Sequence, residues 1–94
     1  MSKNIELKHV LFDKGMLNTL KDLGRNTSNL VKLNGSGFRL ARIKGYLADK
    51  FGPVNKPIRV KLTDSGYKVM SGRHRVVYSL LRNYKTVPAY IVKN

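Results

Sequence analysis

Apolar residues recur along this chain at two spacings, and the switches between them divide it into short elements. Ile5, Leu7 and then Val10, Leu11 and Phe12 predict a first short strand. Met16, Leu17, Leu20 and Leu23 then follow at helical spacing, with Asp13 as a fitting N-cap and Gly24 as the stop. Asn26 to Ser28 reads as a turn and Asn29 to Leu33 as a weak strand or extended segment. Asn34-Gly35-Ser36-Gly37 reads as a hairpin turn or a mobile loop, and residues 24–37 together are expected to form a mobile loop or insertion.

The second half of the chain is patterned more sharply. From Phe38 to Phe51, Leu40, Ile43, Leu47 and Phe51 make a helical stripe from which Arg39, Arg42 and Lys50 fall away, and Gly52-Pro53 ends it. Ile58, Val60 and Leu62 alternate with Arg59 and Lys61, the period of a strand with one buried and one basic face. Asp64-Ser65-Gly66 turns the chain back into Tyr67 to Met70, predicting an antiparallel hairpin. After Ser71-Gly72, a second stripe of Val76, Val77, Leu80, Leu81 and Tyr84 predicts a helix, and Thr86 to Val92 a last strand. Pro88 places that strand's start or an edge there, since proline cannot donate to a ladder. Strands and helices mix without strict alternation, so the expected class is α+β: one domain over residues 1–94 with a mixed sheet and three packed helices.

Composition changes this picture in two ways. The chain has no Cys, two His and five acidic residues, which removes disulfides, thiol nucleophiles and Cys-based zinc sites and leaves no expected metal site. No apolar run approaches a membrane span, and the N-terminus lacks a signal-peptide layout, so a cytoplasmic protein is expected. Nineteen Lys and Arg against five Asp and Glu give a net charge of +14, spread along the chain. Self-repulsion of that size is best relieved by a polyanion, which points to a folded domain with a basic face.

The candidate chemistry concentrates at Ser71-Gly72-Arg73-His74-Arg75, where a strand is predicted to become a helix. Ser71 is placed to cap that helix, and Gly72 to let a ligand approach the backbone. The first helical turn carries partial positive charge, so Arg73 and Arg75 there are unfavourable by a few tenths of a kcal/mol, about 0.3 or more each. A bound phosphate removes the conflict by accepting from the N–H groups, the guanidiniums and His74.

The order PIRV, GYKVMSGRHRVVYSLLRNYKTVPAYIV resembles the ParB/sulfiredoxin superfamily, also called the ParB-like nuclease domain, through Pro57, Ile58, Val60, Gly66, Tyr67, Gly72, His74, Arg75, Val87 and Pro88. In looser form Lys8 to Phe12 and residues 38–52 are similar to its opening strand and the helix before the P-I-x-V strand, leaving residues 24–37 unmatched. The resemblance implies a small ParB/sulfiredoxin-like fold whose turn, here Gly72, Arg73, His74 and Arg75, contacts nucleotide phosphates. Sulfiredoxins act through a Cys in G-C-H-R; Arg73 stands in that place, so their chemistry is excluded. Partition ParB proteins bind and hydrolyse CTP and bind DNA through a following helical domain. These 94 residues hold no counterpart of it, and clamp behaviour is not expected.

Three functions follow. The first is nucleic-acid binding, DNA before RNA, through Arg39, Arg42, Lys50, Arg59, Lys61, Arg73 and Arg75, with nucleoid association in the cell; Tyr46, Tyr67, Tyr78 and Tyr84 are stacking candidates for which a core role is the simpler reading. The second is a nuclease or nucleotide hydrolase using Mg and ATP or CTP, with His74 as acid or base and Glu6, then Asp64, as the carboxylate. The third is a regulator or inhibitor that binds a protein of nucleic-acid metabolism, of the kind phage and mobile elements encode. A dimer is compatible with each.

Overall fold

The computed structural model of the protein describes residues 2–32 and 56–92. Among the described residues nine elements occur, in this order: β1 (Lys3–Glu6), a 3-10 turn (Leu7–His9), β2 (Val10–Phe12), α1 (Lys14–Asp22), β3 (Val31–Lys32), β4 (Ile58–Thr63), β5 (Gly66–Ser71), α2 (Arg73–Leu81) and β6 (Thr86–Ile91). The helix expected over residues 38–51 lies outside the described residues, among which there are two α-helices.

The described strands make one mixed sheet of six, in the order β1-β6-β4-β5-β2-β3. Pairing is antiparallel for β1–β6 and β4–β5, and parallel for β6–β4, β5–β2 and β2–β3. Both helices pack on one face, where Met16, Leu17, Leu20, Val76, Val77 and Leu80 meet Ile5, Val10, Phe12, Ile58, Val60, Val87 and Ala89 in a single core.

The single strand expected over residues 5–12 is instead two strands joined by the 3-10 turn, and they lie apart in the sheet. The reason is visible in the spacing. Leu7 and Val10 are three apart, and a 3-10 turn puts residues three apart on one side, so both are buried while Lys8 and His9 face water. That turn packs on the β4–β5 hairpin so closely that a Cβ on Gly66 would sit 2.5 Å from the His9 carbonyl oxygen. Gly66 also has φ +141°, so only glycine serves there.

The expected hairpin is present, closed by the Thr63 hydroxyl, which donates to the Gly66 carbonyl at 2.7 Å and accepts from Ser65 N–H at 3.2 Å. Val31–Lys32 is the short strand expected after the Asn26–Ser28 turn, parallel to β2. Of the two places Pro88 allowed, a strand start or a sheet edge, the edge does not apply: β1 covers the last strand on one side and β4 on the other. The register explains how a proline is tolerated. The β4 ladder begins one residue later, at the Ile58–Ala89 pair, so Pro88 itself is flanked by β1 alone.

Candidate phosphate-binding turn and basic sheet face

β2 and β5 are parallel neighbours, and each runs directly into a helix, so α1 and α2 begin side by side at the carboxyl ends of two adjacent strands. In open sheets that contain parallel strands, such an edge is where ligands collect. The two helix starts are built differently. Asp13 caps α1 and accepts from Met16 N–H at 2.9 Å through Oδ1. Gly72 caps α2 in the left-handed region, φ 101° and ψ 28°, and makes no side-chain cap bond.

Ser71 is therefore not the cap. It ends β5, exposed, in register with Arg59. The cap must lie one residue later because its carbonyl closes the first helical bond, from Val76 N–H to the Gly72 oxygen at 3.1 Å. Gly72 has a packing reason as well as a conformational one: a Cβ there would lie 2.6 Å from Ile58 Cγ2 and 3.0 Å from Arg75 Nη2. The glycine thus lets α2 start directly over β4, with the Arg75 guanidinium folded back across it.

Each arginine of the turn has a partner within the fold. Arg73 Nη1 donates to Asp13 Oδ2 at 2.7 Å, a largely buried ion pair that joins the two helix starts. Arg75 Nη1 donates to the carbonyls of Lys56 and Pro57, both at 2.8 Å, and so anchors the entry of β4. The Arg75 guanidinium carries five N–H donors in a rigid fork, and both of its carbonyl bonds use Nη1. His74 sits between them, partly buried. Desolvation first, and the neighbouring Arg73 charge second, push its imidazole below the ordinary value of 6.5.

Neither candidate carboxylate is brought to this turn. Glu6 lines a cleft with Leu80, Asn83 and Tyr84 at the carboxyl end of α2, and lies 3.0 Å from Lys8 Nζ and 3.8 Å from His9 Nε2. The Lys8 hydrogen bond and charge hold the Glu6 carboxyl below its usual range. Nine residues of helix, about 13 Å at 1.5 Å per residue, lie between that cleft and Gly72. Asp64 is in the hairpin turn, at the opposite end of β5 from Ser71. Among the described residues the carboxylate that reaches the turn is Asp13, which the sequence marked only as a cap. Nothing local ties Asp13 to Arg73, because 60 residues separate them. No group of three His, Cys, Asp or Glu able to hold a metal occurs among the described residues.

The sheet face turned away from the helices carries Arg59 and Lys61 of β4, whose neighbours Ile58 and Val60 point into the core. Lys61 stands directly opposite Lys68 of β5, a like-charge pair that costs stability unless an anion is near. Arg59 is in register with Ser71, so this basic face runs on into the turn. Arg39, Arg42 and Lys50, expected to join the same surface, lie outside the described residues. Of the stacking candidates, Tyr78 is fully buried with Arg82 over its ring at 5.9 Å, and Tyr67 and Tyr84 pack against the core; Tyr46 is outside the described residues. No described helix is long and apolar enough to cross a membrane.

No family model matches the chain, and no curated protein sequence matches it. Solved structures do. Sulfiredoxin from Arabidopsis thaliana is similar over 100% of this chain and 86% of its own, with TM-score 0.58 and 18% identity. C-terminally truncated chromosome-partitioning protein ParB from Caulobacter crescentus, complexed with CTP-gamma-S, is similar over 100% of this chain, with TM-score 0.60 and 17% identity. A conserved hypothetical protein from Pyrococcus furiosus is similar over 98% of this chain, with TM-score 0.54 and 17% identity. The chain spans 45% of the ParB structure and 32% of the Pyrococcus protein. The fold is therefore ParB/sulfiredoxin-like, as the order of motifs implied.

Proposed function

We propose that the chain is a nucleic-acid-binding protein, DNA before RNA, that seats a backbone phosphate at Gly72 to Arg75 and tracks the strand over its basic sheet face. One observation carries this reading. The start of α2 is capped by a glycine with no side-chain acceptor, bears Arg73, His74 and Arg75, and is continuous with Arg59, Lys61 and Lys68. A helix start of that kind favours an anion, and the opposed lysines are relieved by the same polyanion. The net charge of +14 supplies the long-range attraction.

Binding of this type is driven by counterion release and so depends steeply on salt. With four phosphates neutralised, affinity for duplex DNA falls with a log–log slope of about −3.6. The test is anisotropy of a labelled random duplex and of the matching single strand from low to high salt, with and without CTP or ATP plus magnesium, followed by a gel. Tight, salt-steep binding supports the reading, and a flat salt dependence defeats it. Magnesium-dependent cleavage would replace it with the nuclease reading, and absence of any binding would replace it with the protein-partner reading. The similarity to a ParB structure holding a CTP analogue is the reason to include CTP.

A further inference from the structure

Tyr90 was not among the tyrosines the sequence offered for stacking, yet among the described tyrosines it is the one the fold leaves open. It is 44% exposed, on the sheet face away from the helices, because Ala89 beside it faces the core. In the parallel β4–β6 ladder Tyr90 lies next to Arg59. Two residues further along β4 on the same face is Lys61, opposite Lys68, and beyond Lys68 on β5 comes Met70, 54% exposed. Val92, 38% exposed, continues β6 alongside through its N–H bond to the Val60 carbonyl at 2.7 Å. The face is thus a row of cations, Arg59, Lys61 and Lys68, bordered by a tyrosine, a methionine and a valine. No carboxylate occurs anywhere in β4, β5 or β6.

We infer that this face is a stacking platform for single-stranded nucleic acid, with a base on the Tyr90 ring and the adjoining phosphates on Arg59, Lys61 and Lys68. The inference rests on the nucleic-acid reading above and narrows it to unpaired strands. A duplex shows this face only its phosphates, since its bases are stacked inside, and gives Tyr90 and Met70 nothing to cover them. A single strand offers π-faces spaced along the same backbone that the cations neutralise. A flat strand presents its alternate side chains at about 6.4–6.8 Å intervals, which suits successive nucleotides of an extended strand and not a groove. The path has a terminus too: Ser71, in register with Arg59, leads to Gly72, where a phosphate at the end of the platform meets the start of α2.

The experiment compares a labelled 12-nucleotide single strand with the corresponding duplex on the parent chain, Tyr90→Phe and Tyr90→Leu, at one fixed salt concentration, with denaturation midpoints recorded alongside. The expected result is tighter binding of the single strand by the parent, retained in Tyr90→Phe. Tyr90→Leu should lose about 10-fold or more on the single strand, as removal of one stacked base does, with duplex binding unchanged. Quenching of tyrosine fluorescence by the single strand, absent in Tyr90→Leu, is the second readout. Duplex bound as tightly as single strand, or equal losses on both for Tyr90→Leu, would overturn the platform while leaving the nucleic-acid reading standing. Failure to bind either would end the nucleic-acid reading itself. A single strand that perturbs only the Gly72 to Arg75 amides in NMR spectra would assign binding to the turn and refute a base on Tyr90.

Discussion

The two described helices begin side by side and solve the same problem in opposite ways. The start of α1 is closed: Asp13 supplies an acceptor for Met16 N–H and brings negative charge to the positive end of the dipole. The start of α2 is open: Gly72 supplies no side-chain acceptor, and the residues that follow are Arg73, His74 and Arg75. Closure at α1 also serves α2, because the second oxygen of Asp13 holds Arg73. One carboxylate thus offsets half of the like-charge crowding at the neighbouring helix, and the carbonyls of Lys56 and Pro57 engage the other guanidinium. A helix whose start is satisfied from within is a structural support. One whose start is left to glycine and held in place by its neighbours is the start that the proposed phosphate site uses.

The sharpest way to break this contrast is at Gly72. Gly72→Ala must strain a φ of +101° and drive a methyl into Ile58, so a loss of about 3 kcal/mol is expected from urea denaturation. A loss under about 1 kcal/mol would mean that the α2 start can relax and that the glycine is not structurally required.

Asp13 comes next. Asp13→Ala removes both the cap and the ion pair and is expected to cost about 2–3 kcal/mol, whereas Asp13→Ser keeps a capping oxygen and should cost about 1 kcal/mol less. Equal losses would show that the cap contributes nothing. A double-mutant cycle of Asp13→Ser with Arg73→Gln reads the pair alone, with a coupling of about 1 kcal/mol expected across the two helix starts.

Arg75→Ala should cost about 1 kcal/mol through its carbonyl bonds to Lys56 and Pro57. If the turn binds phosphate it should also lower affinity and make the salt slope shallower by about 1. A change in stability with an unchanged slope would confine Arg75 to anchoring β4.

The smallest effect expected is that of His74. Its imidazole titrates below 6.5 in the fold, so the unfolded chain takes up the proton first as pH falls. The stability this gives is present above about pH 6.5 and is lost as pH drops through the folded-state value. Urea midpoints between pH 7 and 5 should fall more steeply for the parent than for His74→Gln. Added inorganic phosphate should raise the His74 titration midpoint and shift the amides of Arg73 to Arg75, leaving Lys14 to Met16 unmoved. Shifts at both helix starts would erase the contrast.

The sequence by itself determined what depends on neighbours along the chain. The cap at Asp13, the stop at Gly24 and the β4–β5 hairpin rest on bonds spanning a few positions, and the residue set of the turn is written in the chain itself. Periodicity then told which side of each element is apolar. Only the tertiary structure decided which elements are neighbours. The sheet order put Glu6 at the far end of α2 and Asp13 at its start, moved the cap from Ser71 to Gly72 by packing it on Ile58, and buried Tyr78 while leaving Tyr90 open. The pairings responsible join residues far apart in the chain, Asp13 with Arg73 across 60 positions and Lys3 with Ala89 across 86. The energy of such a contact depends on how the core faces of separate elements are covered together, which no local pattern records.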